Sequence, residues 1–407
     1  MYIIAPPVYT GTSPVLSQKH KHHIFLLTLR AILTSMKLFI RFIGAIFGIL
    51  RAEYRQIVNR YFSSIERFPG DAREICSQIV DRLWYGDFYR TSLGHYNFFW
   101  MRDFGTVAES LTTLNHTTRV HHTLRWALRH YRRGNRVKLC IDKNGNVFNA
   151  PGKPSIDALP WLLHSLVVSH YYLNSDEQAF LSEELERYVA RYLTETGDIK
   201  KGVRYAEMRD AVYYERSAYA IALVGRLAQC AEVLQLKNFP FAPSVYSDIL
   251  IKEYWTGDFF RADRVSTNFS SDSALMPFFL RVVDDEAMAS KTFDYINKAE
   301  LNLPYPMKYG EKPSKKLRYR FGMGPISMPN YTESSLWTWH ATYYLHLLHR
   351  YGRDEYKKQY VQFSALIERH QTYPELTNPD GSWYYAPFYR ADPGMVWAAL
   401  FLELPSE

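Results

Sequence analysis

Apolar residues recur at helical spacing from about Glu53 almost to the end of the chain, in segments that come in pairs. The clearest stripe is Leu181, Leu185, Tyr188, Val189, Tyr192 and Leu193, with Glu183, Glu184, Glu186 and Arg187 on the other face. Similar stripes cover Ala72–Trp84, Val107–Tyr131, Ile156–Tyr172, Ser217–Leu236, Ala287–Ala299, Ser334–Tyr351 and Tyr356–His370. Gly134-Asn135 and Gly352 supply stop signals, while Ser175-Asp176-Glu177 and Asp284-Asp285-Glu286 supply caps. Only Val137–Asn149, with its Lys143-Asn144-Gly145-Asn146 turn, reads as a β-hairpin. Sequential antiparallel helix pairs without βα alternation predict an all-α protein: a solenoid, a bundle or a closed toroid. No short repeat of the tetratricopeptide or ankyrin kind is visible.

The connections carry the unusual residues. Six stretches, Gly86–Arg102, Asn144–Ser155, Lys200–Asp210, Trp255–Ser271, Leu303–Tyr331 and Gln371–Asp392, recur at intervals of about one helical hairpin. Aromatic residues make up 16% of the chain, and these stretches are rich in them and in Arg, Asp, Gly and Pro. If six hairpins close into a ring, the loops of one end converge on a central pocket. Rings that stack on CH-rich sugar faces, beside acids that bond hydroxyls, then point to a carbohydrate site.

The strongest segment is Tyr96-Asn97-Phe98-Phe99-Trp100-Met101-Arg102-Asp103-Phe104-Gly105. An aromatic run here delivers an Arg–Asp pair to the start of a helix. Asp103 serves there either as a helix cap or as an acceptor for sugar hydroxyls, with Arg102 donating. The three bulky aromatics before the pair favour the second role.

This segment resembles the Trp-x-Arg-Asp motif of the six-hairpin glycosidases: glucoamylases, amylo-α-1,6-glucosidases, trehalases and neutral invertases. Further segments resemble theirs in the same order. They are Trp255-Thr256-Gly257-Asp258-Phe259-Phe260 with Ser271-Asp272-Ser273-Ala274-Leu275-Met276-Pro277; Pro329-Asn330-Tyr331-Thr332-Glu333-Ser334-Ser335-Leu336-Trp337-Thr338-Trp339; Tyr373-Pro374-Glu375-Leu376-Thr377-Asn378-Pro379-Asp380-Gly381; and Trp397-Ala398-Ala399-Leu400. The resemblance covers about residues 80–403. It implies an (α/α)6 barrel, a six-hairpin toroid with short β-hairpin insertions, over residues 51–407. It also implies hydrolysis of an α-linked glucoside or related oligosaccharide by two loop carboxylates, with inversion.

The family's second carboxylate falls on Glu375, presented between Pro374 and an Asn378-Pro379-Asp380-Gly381 turn. The acid falls between Arg204 and Arg216, where Asp210 matches best and Tyr213 and Tyr214 would raise its pKa by desolvation. That region departs from the family pattern, so Glu207 and Glu215 stay open. Trp100, Arg102 and Asp103 are the implied sugar contacts, with Tyr96, Trp255, Asp272, Tyr331, Glu333, Trp337 and Trp339 as further candidates. Trp337 and Trp339, two residues apart, would not share a helix face, so one would line the pocket while the other packs. Glu333 binds sugar or caps its helix, and Asp157 reads as a helix cap.

Other chemistries find less support. His121-His122 and His346 with His349 lack a third ligand, so no metal is expected. Gly322-Met323-Gly324-Pro325 is no phosphate loop, and Cys76, Cys140 and Cys230 have no paired spacing. No cofactor is expected. A net charge of +8 would permit nucleic-acid binding, but the cations interleave with acids, and the Arg129–Lys138 cluster closes a helix. No nucleic-acid partner is therefore expected. Two other readings of the site stand beside hydrolysis: an α/α-toroid sugar epimerase or lyase using His or Tyr, and a non-catalytic carbohydrate-binding protein.

Residues 1–50 differ from the rest. Residues 1–22 look unfolded, and the apolar stretch Ile24–Leu50 is interrupted by Arg30, Lys37 and Arg41, too many cations for a simple span. It reads as a helix on a membrane surface, a helix packed on the body, or a weak anchor. The expected location is cytoplasmic, with peripheral membrane contact through residues 24–50 left open. The sequence carries no signal for oligomeric state.

Overall fold

The amphipathic stripes fold as helices, and their burial separates them into two kinds. In chain order the helices are α1 (Ala72–Leu83), α2 (Met101–Leu111), α3 (Thr117–Arg133), α4 (Ala158–Val168), α5 (Ser175–Tyr192), α6 (Ala218–Val233), α7 (Ser244–Glu253), α8 (Ser271–Phe279), α9 (Glu286–Lys298), α10 (Thr338–Arg350), α11 (Glu355–His370) and α12 (Ala398–Glu403). Odd-numbered helices bury one face, as α1 does with Ala72, Ile75, Cys76, Ile79, Val80 and Leu83. Even-numbered helices are buried nearly all round, as α2 is from Met101 to Ala108. Each even-numbered helix packs against the next, and α12 packs against α2. The ring is closed: this is an all-α six-hairpin toroid with short β-insertions.

The computed structural model describes residues 58–149, 153–209, 212–311, 318–319, 328–387 and 389–406. The chain divides into Met1–Tyr54 and Arg55–Glu407, and the described residues belong to the second unit. The readings of the apolar stretch 24–50 lie outside them. Among the described residues no helix is long and apolar enough to cross a membrane.

Three helices, α7, α8 and α12, have no counterpart in the sequence stripes. In α7 only Tyr246 and Leu250 are fully buried, which is too few to show a period. The start of α8 is serine-rich and Pro277 lies inside it, both local turn signals that burial in the ring overrides. The stripe read as one helix over Val107–Tyr131 is two, broken at Thr112–His116 where Asn115 takes a φ of 66°.

Three expected caps also differ. α2 is preceded by Trp100, so Asp103 sits inside its first turn and makes no capping bond. Asp157 precedes α4, but it is Ser155 Oγ that accepts the Ala158 amide, at 3.1 Å. α10 begins at Thr338, five residues beyond Glu333, which therefore does not cap it.

Each long loop leads into an even-numbered helix, so all six gather at one end of the ring. There the amides opening the helices, which lack partners within them, donate to the neighbouring loop. Met101 N bonds Leu139 O at 2.8 Å, Ala218 N bonds Ala262 O at 3.2 Å, Ser271 N bonds Tyr309 O at 2.8 Å, and Thr338 N bonds Glu375 O at 3.3 Å. Val396 N bonds Thr91 O at 2.8 Å and joins the last loop to the first. Two-residue strands reinforce the belt. Phe99–Trp100 pairs with Cys140–Ile141, which completes the expected hairpin with Val147–Phe148, and Leu336–Trp337 pairs with Leu376–Thr377.

Close approach of α2 and α4 depends on Gly105, where an added Cβ would lie 2.5 Å from Trp161 Cβ. Gly105→Ala is expected to cost about 1–3 kcal/mol through overpacking, read as a lowered thermal midpoint. An unchanged midpoint would show that the pair can separate freely.

Candidate active site

At the loop end of the ring lies a cavity enclosing about 360 Å³ of space, open mouth included. Its walls come from four loops and the helices they enter. The first loop and α2 contribute Thr91, Tyr96, Trp100, Arg102 and Asp103, and the third contributes Met208. The fifth, with α10, contributes Tyr331, Trp337 and Trp339; the last contributes Glu375, Met395 and Trp397. Trp337 and Trp339 both line the cavity, because Trp337 lies in a strand and the helix-face argument does not apply to it.

Glu375 is 2% exposed and held by one oxygen. Tyr389 Oη donates to its Oε2 at 2.5 Å, and the Asp392 amide donates to the same oxygen at 3.0 Å. Among the described residues Oε1 has no hydrogen-bonding partner. Burial pushes the Glu375 carboxyl up to about 8, helped by the Asp392 charge and opposed by the two donors.

Asp103 faces the same cavity. Trp397 Nε1 donates to its Oδ1 at 3.1 Å, while Oδ2 has no partner among the described residues. Burial raises its carboxyl to about 7, with Arg102 and Trp397 opposing. Each of these two acids thus turns one unoccupied oxygen to a tryptophan-walled space.

Arg102 is anchored from behind. Its Nε lies 2.5 Å from Asp157 Oδ2 and its Nη2 3.4 Å from Oδ1. Tyr219 Oη also donates to Asp157, at 3.1 Å, and receives Trp161 Nε1 at 3.2 Å. Asp157 therefore fixes the guanidinium that borders the cavity.

Several sequence candidates stand elsewhere. Glu207 and Asp272 flank the buried Arg209, whose Nε is 3.7 Å from Glu207 Oε1 and 2.9 Å from Asp272 Oδ2. Ser217 Oγ donates to Glu207 at 2.5 Å, Tyr309 Oη donates to Asp272 at 3.1 Å, and the guanidinium lies 3.9 Å from the centre of the Tyr214 ring. This cluster fastens the third loop to α8. Glu215 is half-buried, its amide bonded to Asp263, and Trp255 packs on Phe260. Glu333 is buried, with its carbonyl accepting the Gly310 amide. None of these five lines the cavity. Asp210 lies outside the described residues; Met208, two positions before it, is in the wall.

Thr91, Met208, Met395, Tyr389 and Asp392 carry no mark in the sequence, and Trp397 stands out there only as part of a motif. Met208 is in van der Waals reach of His340, whose Nε2 is 3.2 Å from its Sδ, and burial lowers His340 to about 3. Among the described residues no group of His, Cys, Asp or Glu could hold a metal ion.

No protein-family profile matches the chain, and no curated protein matches it in sequence. Solved structures do match. A glycosidase in complex with glucose is 12% identical over 82% of this chain and 94% of its own, with a TM-score of 0.60. A GH63 mannosylglycerate hydrolase from Thermus thermophilus, in complex with Tris and D-glycerate, is 12% identical over 82% of this chain and 99% of its own, with a TM-score of 0.54. The chain has the six-hairpin glycosidase fold. Identity this low establishes the fold alone.

Removing Asp157 leaves the buried Arg102 charge without its main partner. Asp157→Ala is expected to cost about 3–5 kcal/mol in urea unfolding. A loss below about 1 kcal/mol would show that Arg102 is held otherwise.

Proposed function

We propose that the chain is a glycoside hydrolase acting on an α-linked glucoside or related oligosaccharide, with inversion. The observation that carries this reading is the pair of buried carboxyls, Glu375 and Asp103, each presenting one free oxygen to a cavity walled by Trp100, Trp337, Trp339 and Trp397. Aromatic walls suit the CH faces of a sugar, and a carboxylate with a free oxygen suits the activation of water.

In this reading Trp100, Tyr96, Tyr331, Trp337 and Trp339 enclose the sugar ring, while Arg102 and Asp103 hold its hydroxyls. Glu375 Oε1 takes a proton from the attacking water as the glycosidic bond breaks. Asp210 protonates the leaving oxygen, a role supported by the Arg209 cluster that fastens the residue before it and by Met208 in the cavity wall. The structural neighbours described as glycosidases, one holding glucose, agree with this chemistry. Tyr96 and Tyr331 line the cavity and, among the described residues, no histidine does; the hydrolytic reading over epimerisation or elimination rests on the buried carboxyls Glu375 and Asp103.

Two outcomes test the reading. Glu375→Gln should lower kcat roughly 10²- to 10⁴-fold while sugar binding and the thermal midpoint persist; undiminished turnover would rule it out. The pH profile adds a sign. A base must be ionised, and burial pushes the Glu375 carboxyl up to about 8. The acid limb of kcat/KM, set by ionisation of Glu375, should therefore lie at about pH 7 to 8, with loss of the Asp210 proton setting the alkaline limb. A plateau already reached at pH 5 would contradict the burial account.

A further inference from the structure

Behind Glu375 stands a second carboxylate, Asp392, that does not line the cavity. It is wholly buried and surrounded by donors. Its Oδ1 accepts the His95 amide and Asn59 Nδ2, each at 3.0 Å, and lies 2.5 Å from His95 Nδ1. Its Oδ2 accepts the Tyr96 amide at 2.9 Å and the Ser92 hydroxyl. Burial alone would raise this carboxyl, but His95, Ser92 and the Tyr96 amide outweigh it and hold it below its ordinary value. Space for the carboxylate requires Gly94, where a Cβ would lie 2.2 Å from Asp392 Oδ1.

The main chain of the same residue grips Glu375. Asp392 N donates to Glu375 Oε2 at 3.0 Å, and Asp392 O accepts the Glu375 amide at 2.9 Å. Tyr389, three residues earlier, supplies the other donor to Oε2 and lies 3.4 Å from the Tyr96 hydroxyl. So one buried anion ties the 92–96 loop, which brings Tyr96 to the cavity, to the carboxyl proposed as the base.

We propose that Asp392 is a positioning residue for Glu375: its side chain locks the first loop, and its backbone, with Tyr389, locks Oε2 so that Oε1 alone is offered to the reacting water. This rests on the functional reading above. The clamp also sets the charge environment. The groups facing Glu375 are Asp392, Tyr389, Asp103 and Tyr384, with His95 and Arg390 facing Asp392 from the other side.

A fixed anion and a hydroxyl donor act on Glu375 in opposite directions, which gives a test that a merely structural role would fail. Asp392→Asn removes the anion, so Glu375 ionises more easily and the acid limb of kcat/KM moves down, on the order of one pH unit. Tyr389→Phe removes a donor that favours the carboxylate, so the same limb moves up. Both variants should lose roughly 10- to 100-fold in kcat with KM changed far less. Limbs that stay in place, or that move the same way in both variants, would overturn the clamp. Should Asp392→Asn not fold, Ser92→Ala removes one of its donors alone; a lowered kcat at constant KM supports the clamp and an unchanged kcat overturns it. Full activity in Glu375→Gln, measured alongside, would instead overturn the functional reading.

Discussion

The amides that open the buried helices have no acceptor inside their own helix, and the ring leaves them little water. The structure satisfies them sideways, from Met101 to Leu139, from Ala218 to Ala262, from Ser271 to Tyr309 and from Thr338 to Glu375. Each bond ties the start of a buried helix to the loop that precedes the next one. The loops are therefore fixed to the ring and to one another, and side chains carried on irregular backbone acquire fixed positions. Glu375 illustrates the consequence: its carbonyl is the acceptor for α10, and its carboxyl lines the cavity.

The cavity is an expensive environment for charge, and its electrostatics follow from how each ion is compensated. Arg102 has Asp157, Arg209 has Asp272 and Glu207, and Asp392 has five donors including His95. Glu375 and Asp103 are compensated least, and theirs are the carboxyls raised to about 8 and 7. Groups that titrate near neutrality at a water-accessible cavity are suited to proton transfer. The fully paired ions beside them hold the geometry.

Much of the fold was legible because amphipathic helices advertise themselves. The outer helices, α5 above all, show their period in single residues, whereas α8 and α12 owe their form to burial in the ring and carry no comparable stripe. Eight of the residues named from sequence, Trp100, Arg102 and Asp103 among them, share the wall of one cavity. Glu207 and Asp272 were indistinguishable from cavity acids in sequence, because nothing local reveals that Arg209 lies between them. Asp392 and Tyr389 were hidden for the opposite reason: their partners at 92–96 and 375 lie far away along the chain, and one tyrosine among 32 carries no mark of its own.

The central claim is that Glu375 directs water to the far side of a sugar held between the tryptophans and Asp103. The stereochemistry of the first product tests it most directly. Following the anomeric proton by NMR during hydrolysis of an α-glucoside, the account predicts that the β-anomer appears first and the α-anomer only by later mutarotation. An α-anomer formed first would contradict it, since Glu375 would then be attacking the sugar itself.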